Sequence, residues 1–171
     1  DAALESYQQA LALFRAVGAR LGEANTLQAI GDVQQFRKEI DAALESYQQA
    51  LALFRAVGDR LGEANTLKAI GQFYLTSDDQ SEYERGAQFL LSALELYRRL
   101  QERAGQANIL FFWSQWLARR GQVSQAIPFA EEAHQLGCQI DPDHPVTQTI
   151  GQWAAALHKF MKQSEGNSAI S

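Results

Sequence analysis

The segment "HQLGCQIDPDH", residues 134–144, holds the side chains best suited to chemistry. His134 and Cys138 are four residues apart, which places both on one face of a helix, and two aspartates and a second histidine follow. These are zinc-binding side chains, but zinc sites of this kind use a second Cys or His pair at a fixed spacing, and none follows. A helix end, a turn and an N-cap at Asp143 explain the same letters. We therefore predict no metal site and expect Cys138 to be a small buried residue.

Other chemical signatures are missing from the sequence. None of the three histidines lies in a nucleophile or zinc motif, and no glycine-rich phosphate loop occurs. The formal net charge of −5 argues against a nucleic-acid surface. There is neither a signal-peptide pattern nor a run of about eighteen apolar residues. The sequence therefore predicts a non-enzymatic protein without a cofactor, a nucleic-acid partner or a membrane span. A single cysteine fits a reducing compartment, so we expect a cytoplasmic location.

The strongest pattern in the chain is an internal repeat. The stretch "DAALESYQQALALFRAVG" begins at Asp1 and again at Asp41. Residues 1–31 match residues 41–71 everywhere except at positions 19/59 and 28/68. Solvent-facing glutamines match as well as the apolar positions do. This indicates a recent duplication, because folding alone would preserve only the buried positions.

Each copy predicts two amphipathic helices joined by a glycine-bearing turn. Apolar residues recur at spacings of three and four, which makes one stripe per helix. The first stripe contains Leu44, Tyr47, Leu51 and Phe54. Gly58 then ends the helix, and a second helix begins near Gly62. The second stripe contains Ala64, Leu67, Ala69 and Ile70. Two such helices per repeat predict an all-α fold of stacked antiparallel helix hairpins.

These hairpins resemble the tetratricopeptide repeat (TPR) family, whose signature is W-x2-L-G-x2-Y in the first helix and A-x3-F in the second. The first-helix matches are Leu27-x2-Ile30-Gly31-x2-Gln34, Leu67-x2-Ile70-Gly71-x2-Tyr74 and Leu110-x2-Trp113-Ser114-x2-Leu117. The second-helix matches begin at Ala3, Ala43, Gly86 and Ala126. The resemblance implies a right-handed α-solenoid. The repeat is longer than the usual one of about 34 residues and lacks its closing proline. In this it is similar to LGN-type adaptors and to the sensor arrays of bacterial signalling ATPases.

The resemblance covers about residues 1–137 and divides the chain into three parts. Residues 1–137 form the repeat array, which starts at the second helix of a repeat. Residues 138–163 form a turn and a C-terminal capping helix, and residues 164–171 form a flexible tail. Within the array the predicted helices span residues 1–18, 21–37, 40–58, 61–76, 81–102, 105–120 and 122–137.

A concave groove lined by first-helix side chains follows from the same resemblance. The predicted groove residues are Asn25, Gln28, Asp32, Gln35, Asn65, Lys68, Gln72, Leu75, Asn108, Phe111 and Gln115. The recurring asparagines offer donors and acceptors to the backbone of an extended peptide. The alternative is that they bond locally within their own helix turns. Because Lys68 is the only basic residue of the set, binding of a C-terminal carboxylate is not indicated.

The aromatic stretch "FFWSQW", residues 111–116, contains one residue that the core does not account for. Trp113 and Trp116 align with apolar first-helix positions that face inward. Phe111 aligns instead with Lys68 and Gln28, which are groove positions. An aromatic side chain in a groove is a typical anchor for a partner peptide. Packing under the closing helix is the alternative.

The first helix carries an apolar stripe with no preceding helix to cover it. The stripe contains Leu4, Tyr7, Leu11 and Phe14. Either the chain is part of a longer array, or this face associates with a second copy to form a homo-oligomer. The leading hypothesis is an interaction scaffold that holds a protein or peptide in the groove. A self-assembling structural module is the second hypothesis, and a metal-binding protein centred on His134 and Cys138 is the third.

Overall fold

The computed structural model describes residues 2–75 and 79–168, and every regular element within those two ranges is an α-helix. The helices are α1 (Ala2–Ala16), α2 (Arg20–Phe36), α3 (Ile40–Val57), α4 (Arg60–Tyr74), α5 (Gln80–Arg99), α6 (Arg103–Arg119), α7 (Val123–Ile140) and α8 (Pro145–Ser168). The prediction of an all-α fold is confirmed.

The chain forms two compact units, Asp1–Leu96 and Tyr97–Ser171. In the first unit α1 packs on α2, α2 on α3 and α3 on α4, whereas in the second α6 packs on α7 and α7 on α8. Neighbours in sequence are therefore neighbours in space, as expected of successive helix hairpins. A right-handed course and a domain boundary at residues 137–138 stay predictions.

Aromatic rings lying on glycines hold successive helices together. The Phe54 ring covers Gly62, and a Cβ atom added at that glycine would overlap the ring. Phe14 covers Gly22 and Tyr97 covers Gly105 in the same way, with 2.5 Å from the added Cβ to the ring in both cases. Glycine is therefore required sterically at these places, because any side chain would push the two helices apart. The three contacts recur at the same place in the three hairpins, where one helix turns into the next.

Gly58 ends α3 as predicted. It adopts the left-handed conformation at φ 77°, and its N–H donates to the carbonyls of Arg55 and Phe54. Glycine reaches this region without a Cβ penalty, which makes it a common helix terminator. Lys38, between α2 and α3, and Gln101, between α5 and α6, also adopt positive φ values, although neither is a glycine.

Two sequence-based expectations near α8 are wrong. Asp143 is not the N-cap of this helix. The helix begins at Pro145, and Nδ1 of His144 accepts a hydrogen bond from the Val146 N–H at 3.2 Å. The helix also does not end at residue 163, since it continues to Ser168. The rest of the predicted tail, residues 169–171, lies outside the described residues.

Tyr47 joins α3 to α2. Its side chain is 1% exposed, and its hydroxyl lies within hydrogen-bond distance of Asp32 Oδ1 (2.8 Å) and Gln35 Oε1 (3.0 Å). Burial, and then the hydrogen bond and negative charge of Asp32, raise the pKa of the Tyr47 phenol, so it donates at all physiological pH values. The ring also lies over Gly31, where an added Cβ would be 2.7 Å away.

We expect Tyr47→Phe to lower the free energy of unfolding by about 1 kcal/mol, because it removes a buried donor while keeping the ring. Urea denaturation followed by circular dichroism measures the change. Tyr7→Phe is the matched control, since Tyr7 occupies the identical sequence position in α1 but is 37% exposed. An equal loss in both variants would contradict this account of Tyr47.

Glu63 of α4 pairs with two arginines, of which Arg55 joins it to α3 and Arg60 belongs to its own helix. Arg55 Nε lies 2.8 Å from Glu63 Oε1, and Arg60 Nη1 lies 2.7 Å from Oε2. Burial acts to raise the pKa of the Glu63 carboxyl, but the hydrogen bonds and charges of the two arginines outweigh it, so the pKa is lowered. The ionised form of Glu63 therefore stabilises the fold.

We expect Glu63→Gln to cost about 1–3 kcal/mol at pH 7, because it removes charge-assisted hydrogen bonds from a buried group. Since the folded pKa lies below the unfolded one, the difference from wild type should be complete above about pH 5 and should be lost as the pH falls through the lower folded pKa. Urea denaturation across this range measures it. Glu23→Gln is the control and should cost less, because the Glu23 side chain is 19% exposed against 8% for Glu63. A pH-independent difference would contradict the assignment.

Candidate functional site

An open cleft lies between α2 and α4 in the first unit, with a volume of about 280 Å³. We call it the amide cleft. Its lining residues are Asn25, Gln28, Ala29, Asp32, Asp59, Leu61, Gly62 and Asn65. Four of them were predicted as groove residues from the sequence, and they come from two successive repeats. The structure therefore brings together the equivalent asparagines, Asn25 and Asn65, at one surface.

Neighbouring contacts set the shape of the amide cleft. Asp59 is the N-cap of α4, and its Oδ1 accepts hydrogen bonds from the N–H groups of Leu61 and Gly62. The Thr66 hydroxyl lies 3.3 Å from Gln28 Oε1 and 2.8 Å from the Gly62 carbonyl, so it links α4 to α2. All the cleft residues except Asp59 lie on α2 or α4, and helices hold site residues in more precise positions than loops do.

The other predicted groove residues of the first unit have different environments. Leu75 is only 4% exposed, so its side chain belongs to the core and its prediction as a groove residue is wrong. Gln35 accepts a hydrogen bond from the Tyr47 hydroxyl and so faces α3. Lys68 and Gln72 are half-buried and do not line the amide cleft. The family pattern therefore overestimates the open surface near the end of each first helix.

The second unit has a cleft of different chemistry, with a volume of about 420 Å³. We call it the apolar cleft. Its lining residues are Ala104, Ala107, Asn108, Phe111, Gly137, Ile140, Asp141, His144, Val146, Thr147 and Ile150. Asn108 and Phe111 belong to the predicted groove, whereas Gln115 does not line this cleft. The segment 134–144, which the sequence singled out for other reasons, and the start of α8 supply the rest of the lining.

The two tryptophans of α6 belong to the core, as predicted. Both pack against the buried cluster that includes Leu117, Ala126 and Ala130. The Trp113 ring also stacks on Phe129 with 6.0 Å between ring centroids. Phe111 differs from the two tryptophans, because it is half-buried and lines the apolar cleft.

His134 and Cys138 lie together on α7. Cys138 Sγ is 3.5 Å from His134 Nε2. Over the described parts of the chain, no group of three or more His, Cys, Asp or Glu side chains has a metal-binding arrangement. Cys138 is exposed, so the expectation of a buried thiol is wrong. The preceding residue, Gly137, faces α8. Because successive residues of a helix point about 100° apart, Cys138 points away from α8.

Part of the predicted self-association stripe of α1 contacts α2. Phe14 covers Gly22 of α2, and Leu11 packs against the cluster that contains Ala24 and Leu27. Tyr7 is exposed and Leu4 is half-buried. Leu11 and Phe14 are therefore part of the α1–α2 contact, and Tyr7 is the exposed member of the stripe.

Consecutive helix hairpins, joined by ring-on-glycine contacts, define a helical repeat protein. Residues 1–56 match the family model of the tetratricopeptide repeat, so this part of the chain is similar to that family. Repeats of this family generally mediate protein–protein interaction. No curated protein matches the chain. Among the described helices, none is long and apolar enough to cross a membrane.

Proposed function

We propose that this chain is a non-enzymatic protein-interaction module whose first unit binds an extended segment of a partner protein in the amide cleft. The observation that carries the proposal is the convergence of Asn25, Gln28 and Asn65 from two repeats on one open surface. Side-chain amides both donate and accept, so a row of them matches the alternating N–H and C=O groups of an extended backbone.

The differences between the duplicated copies support this location. Residues 1–31 and 41–71 differ only at Ala19/Asp59 and Gln28/Lys68. One member of each differing pair, Asp59 and Gln28, lines the amide cleft. The changes since the duplication therefore altered the chemistry of this cleft while preserving the packing around it.

The charge of the first unit indicates what kind of segment fits. Residues 1–96 contain fourteen Asp and Glu against eight Lys and Arg. The amide cleft itself is lined by Asp32 and Asp59 and by no lysine or arginine. Like charges repel across an interface, so a neutral or basic segment fits and an acidic one does not.

Peptides selected from a random displayed library against the immobilised chain provide the test. For the selected peptides we expect Asn65→Ala to weaken binding at least fivefold, measured by isothermal calorimetry, because it removes one amide of the row. Gln28→Lys should weaken the binding of basic peptides more than that of neutral ones, because it adds a positive charge to the cleft. The substitution is compatible with the fold, since the second copy has lysine at the equivalent position. Gln48→Ala, on the exposed surface of α3, is the control. Unchanged affinities in both cleft variants would place binding elsewhere.

A second candidate function is self-association through α1, and one observation favours it. In α3, the residues Ala43, Ser46 and Tyr47 are buried, and the Tyr47 ring and the Ser46 hydroxyl contact Gly31 and Gln34 of α2. Because α1 has the same sequence as α3, it presents the same set as Ala3, Ser6 and Tyr7, all exposed. The occupant that fits this face is an α2 helix from a second copy, docked by exchange of near-identical hairpins.

If this second function holds, the average mass in sedimentation equilibrium should rise with protein concentration. Tyr7→Lys should reduce the association at least fivefold, because it places a charge where a ring would pack. Leu13→Lys, on another exposed face of α1, should have no effect. A monomer at all concentrations up to about 1 mM, which corresponds to a binding free energy weaker than about −4 kcal/mol, would rule out the association.

A further inference from the structure

The contact between Gly137 and Thr147 shows how α8 aligns with the first helices of the earlier hairpins, α2, α4 and α6. Gly137 lies eleven residues after the start of its second-helix match, as do the three rings that lie on glycines, namely Phe14, Phe54 and Tyr97. Those glycines are the third residues of α2, α4 and α6, and Thr147 is the third residue of α8. The helix α8 is therefore a first helix, aligned with the others from its third residue onward.

This alignment shows that α8 lacks the cover that the other first helices have. Ala156 takes the place of Gly31, Gly71 and Ser114. All three of those residues are buried, and side chains of the following helices, α3 and α5, lie on the two glycines. Ala156 is exposed, so no helix lies on it in the described part of the chain.

Neighbouring residues of α8 show the same difference. Phe160 takes the place of Leu75, but it is 56% exposed where Leu75 is 4% exposed. Ala155 takes the place of the buried Ile70 and is exposed. We call this exposed surface the α8 outer face, and its members are Gln152, Ala155, Ala156, Lys159 and Phe160. It presents two small residues and a ring where a second helix would pack.

The helix α1 has the opposite deficiency. It is a second helix with the sequence of α3, and in α3 the Tyr47 ring lies on Gly31 of the first helix α2. The equivalent residue of α1, Tyr7, is 37% exposed, and Ser6 beside it is exposed. Within the described chain, α1 therefore has an open face that fits a first helix, whereas α8 has an open face that fits a second helix.

We infer that α1 of one copy docks on the α8 outer face of a second copy, so that the two helices form a hairpin like that of α2 and α3. Tyr7 then lies on Ala156 of the second copy, in the way that Tyr47 lies on Gly31. A Cβ atom at Gly31 would be 2.7 Å from the Tyr47 ring, so the docked helices lie slightly further apart. Helices of separate chains are free to make this adjustment, because no short corner joins them.

This inference rests on the second candidate function, self-association through α1, and names the surface that α1 meets. An α2 helix of another copy reaches α1 only by exchange, because α3 already covers its Gly31. The α8 outer face is open, so docking there breaks no existing helix contact. The contact is heterologous, since it joins two different surfaces, and each docked pair keeps one further face of each kind.

Charge favours the same arrangement. Residues 145–164, which contain the α8 outer face, include two lysines and no Asp or Glu. The first unit, to which α1 belongs, has fourteen Asp and Glu against eight Lys and Arg, and Glu5 of α1 is exposed. Opposite charges on two surfaces favour their association, so a second copy supplies α8 with a partner of suitable charge.

A mixing experiment with one variant for each face tests the inference. Tyr7→Lys removes the ring from α1, and Ala156→Gln fills the space on α8 that the ring would occupy. By sedimentation equilibrium we expect the wild-type mass to rise with concentration and each variant alone to associate at least fivefold more weakly. An equimolar mixture of the two should regain the wild-type affinity but stop at a dimer, because it contains one intact face of each kind.

Ala52→Gln, the same substitution at an exposed position of α3, is the control and should leave the association unchanged. Asn65→Ala should also leave it unchanged, which separates this contact from peptide binding in the amide cleft. Circular dichroism shows whether each variant is folded.

The inference is overturned if Ala156→Gln associates as strongly as wild type, or if the mixture associates no more than the separate variants do. If Tyr7→Lys alone weakens association, self-association through α1 stands but α8 is not the surface that it meets. A wild-type chain that stays monomeric up to about 1 mM overturns both.

Discussion

The fold depends on one recurring contact, in which an aromatic ring of one helix lies on a glycine of the next. Phe54 on Gly62 and Phe14 on Gly22 hold the helices together beside fully buried alanines, namely Ala24, Ala50 and Ala64. An amphipathic helix of this length cannot shelter its own apolar stripe, so each helix needs a neighbour. The ring supplies the buried area and the glycine supplies the space, and neither is sufficient without the other.

The duplicated sequence shows how much a residue's role depends on its neighbours. Tyr47 is buried and bonded to α2, whereas Tyr7, with the same local sequence, is exposed. Helix propensity and hydrophobic pattern are identical in the two copies, so both segments become helices. The tyrosine stabilises the fold where a helix equivalent to α2 packs against it, as at Tyr47. Without such a helix it is exposed at the surface, as at Tyr7.

The two clefts arise from the same scaffold by small substitutions. In the first unit, the two positions at which the duplicated copies differ place Gln28 and Asp59 in the cleft, while the ring-on-glycine contacts are the same in both copies. In the second unit, Phe111 stands where the earlier repeats have Gln28 and Lys68, and the cleft that it lines is larger and mostly apolar. Repeat proteins can change binding chemistry in this way because each helix contacts mainly its immediate neighbours, so a local change does not spread.

The sequence by itself determined the helical class, the hairpin order and most helix ends, because periodicity, Gly58 and the small contact residues act through local geometry. It also identified Asn25, Gln28, Asp32 and Asn65 as neighbours at one surface, since equivalent positions of stacked repeats must align. Only the tertiary structure decided that Leu75 is buried, that Cys138 is exposed and that Leu11 and Phe14 face α2. The same holds for the apolar cleft, which α7 and α8 complete. These features depend on which helix covers which face, and residue spacing along one helix does not contain that information.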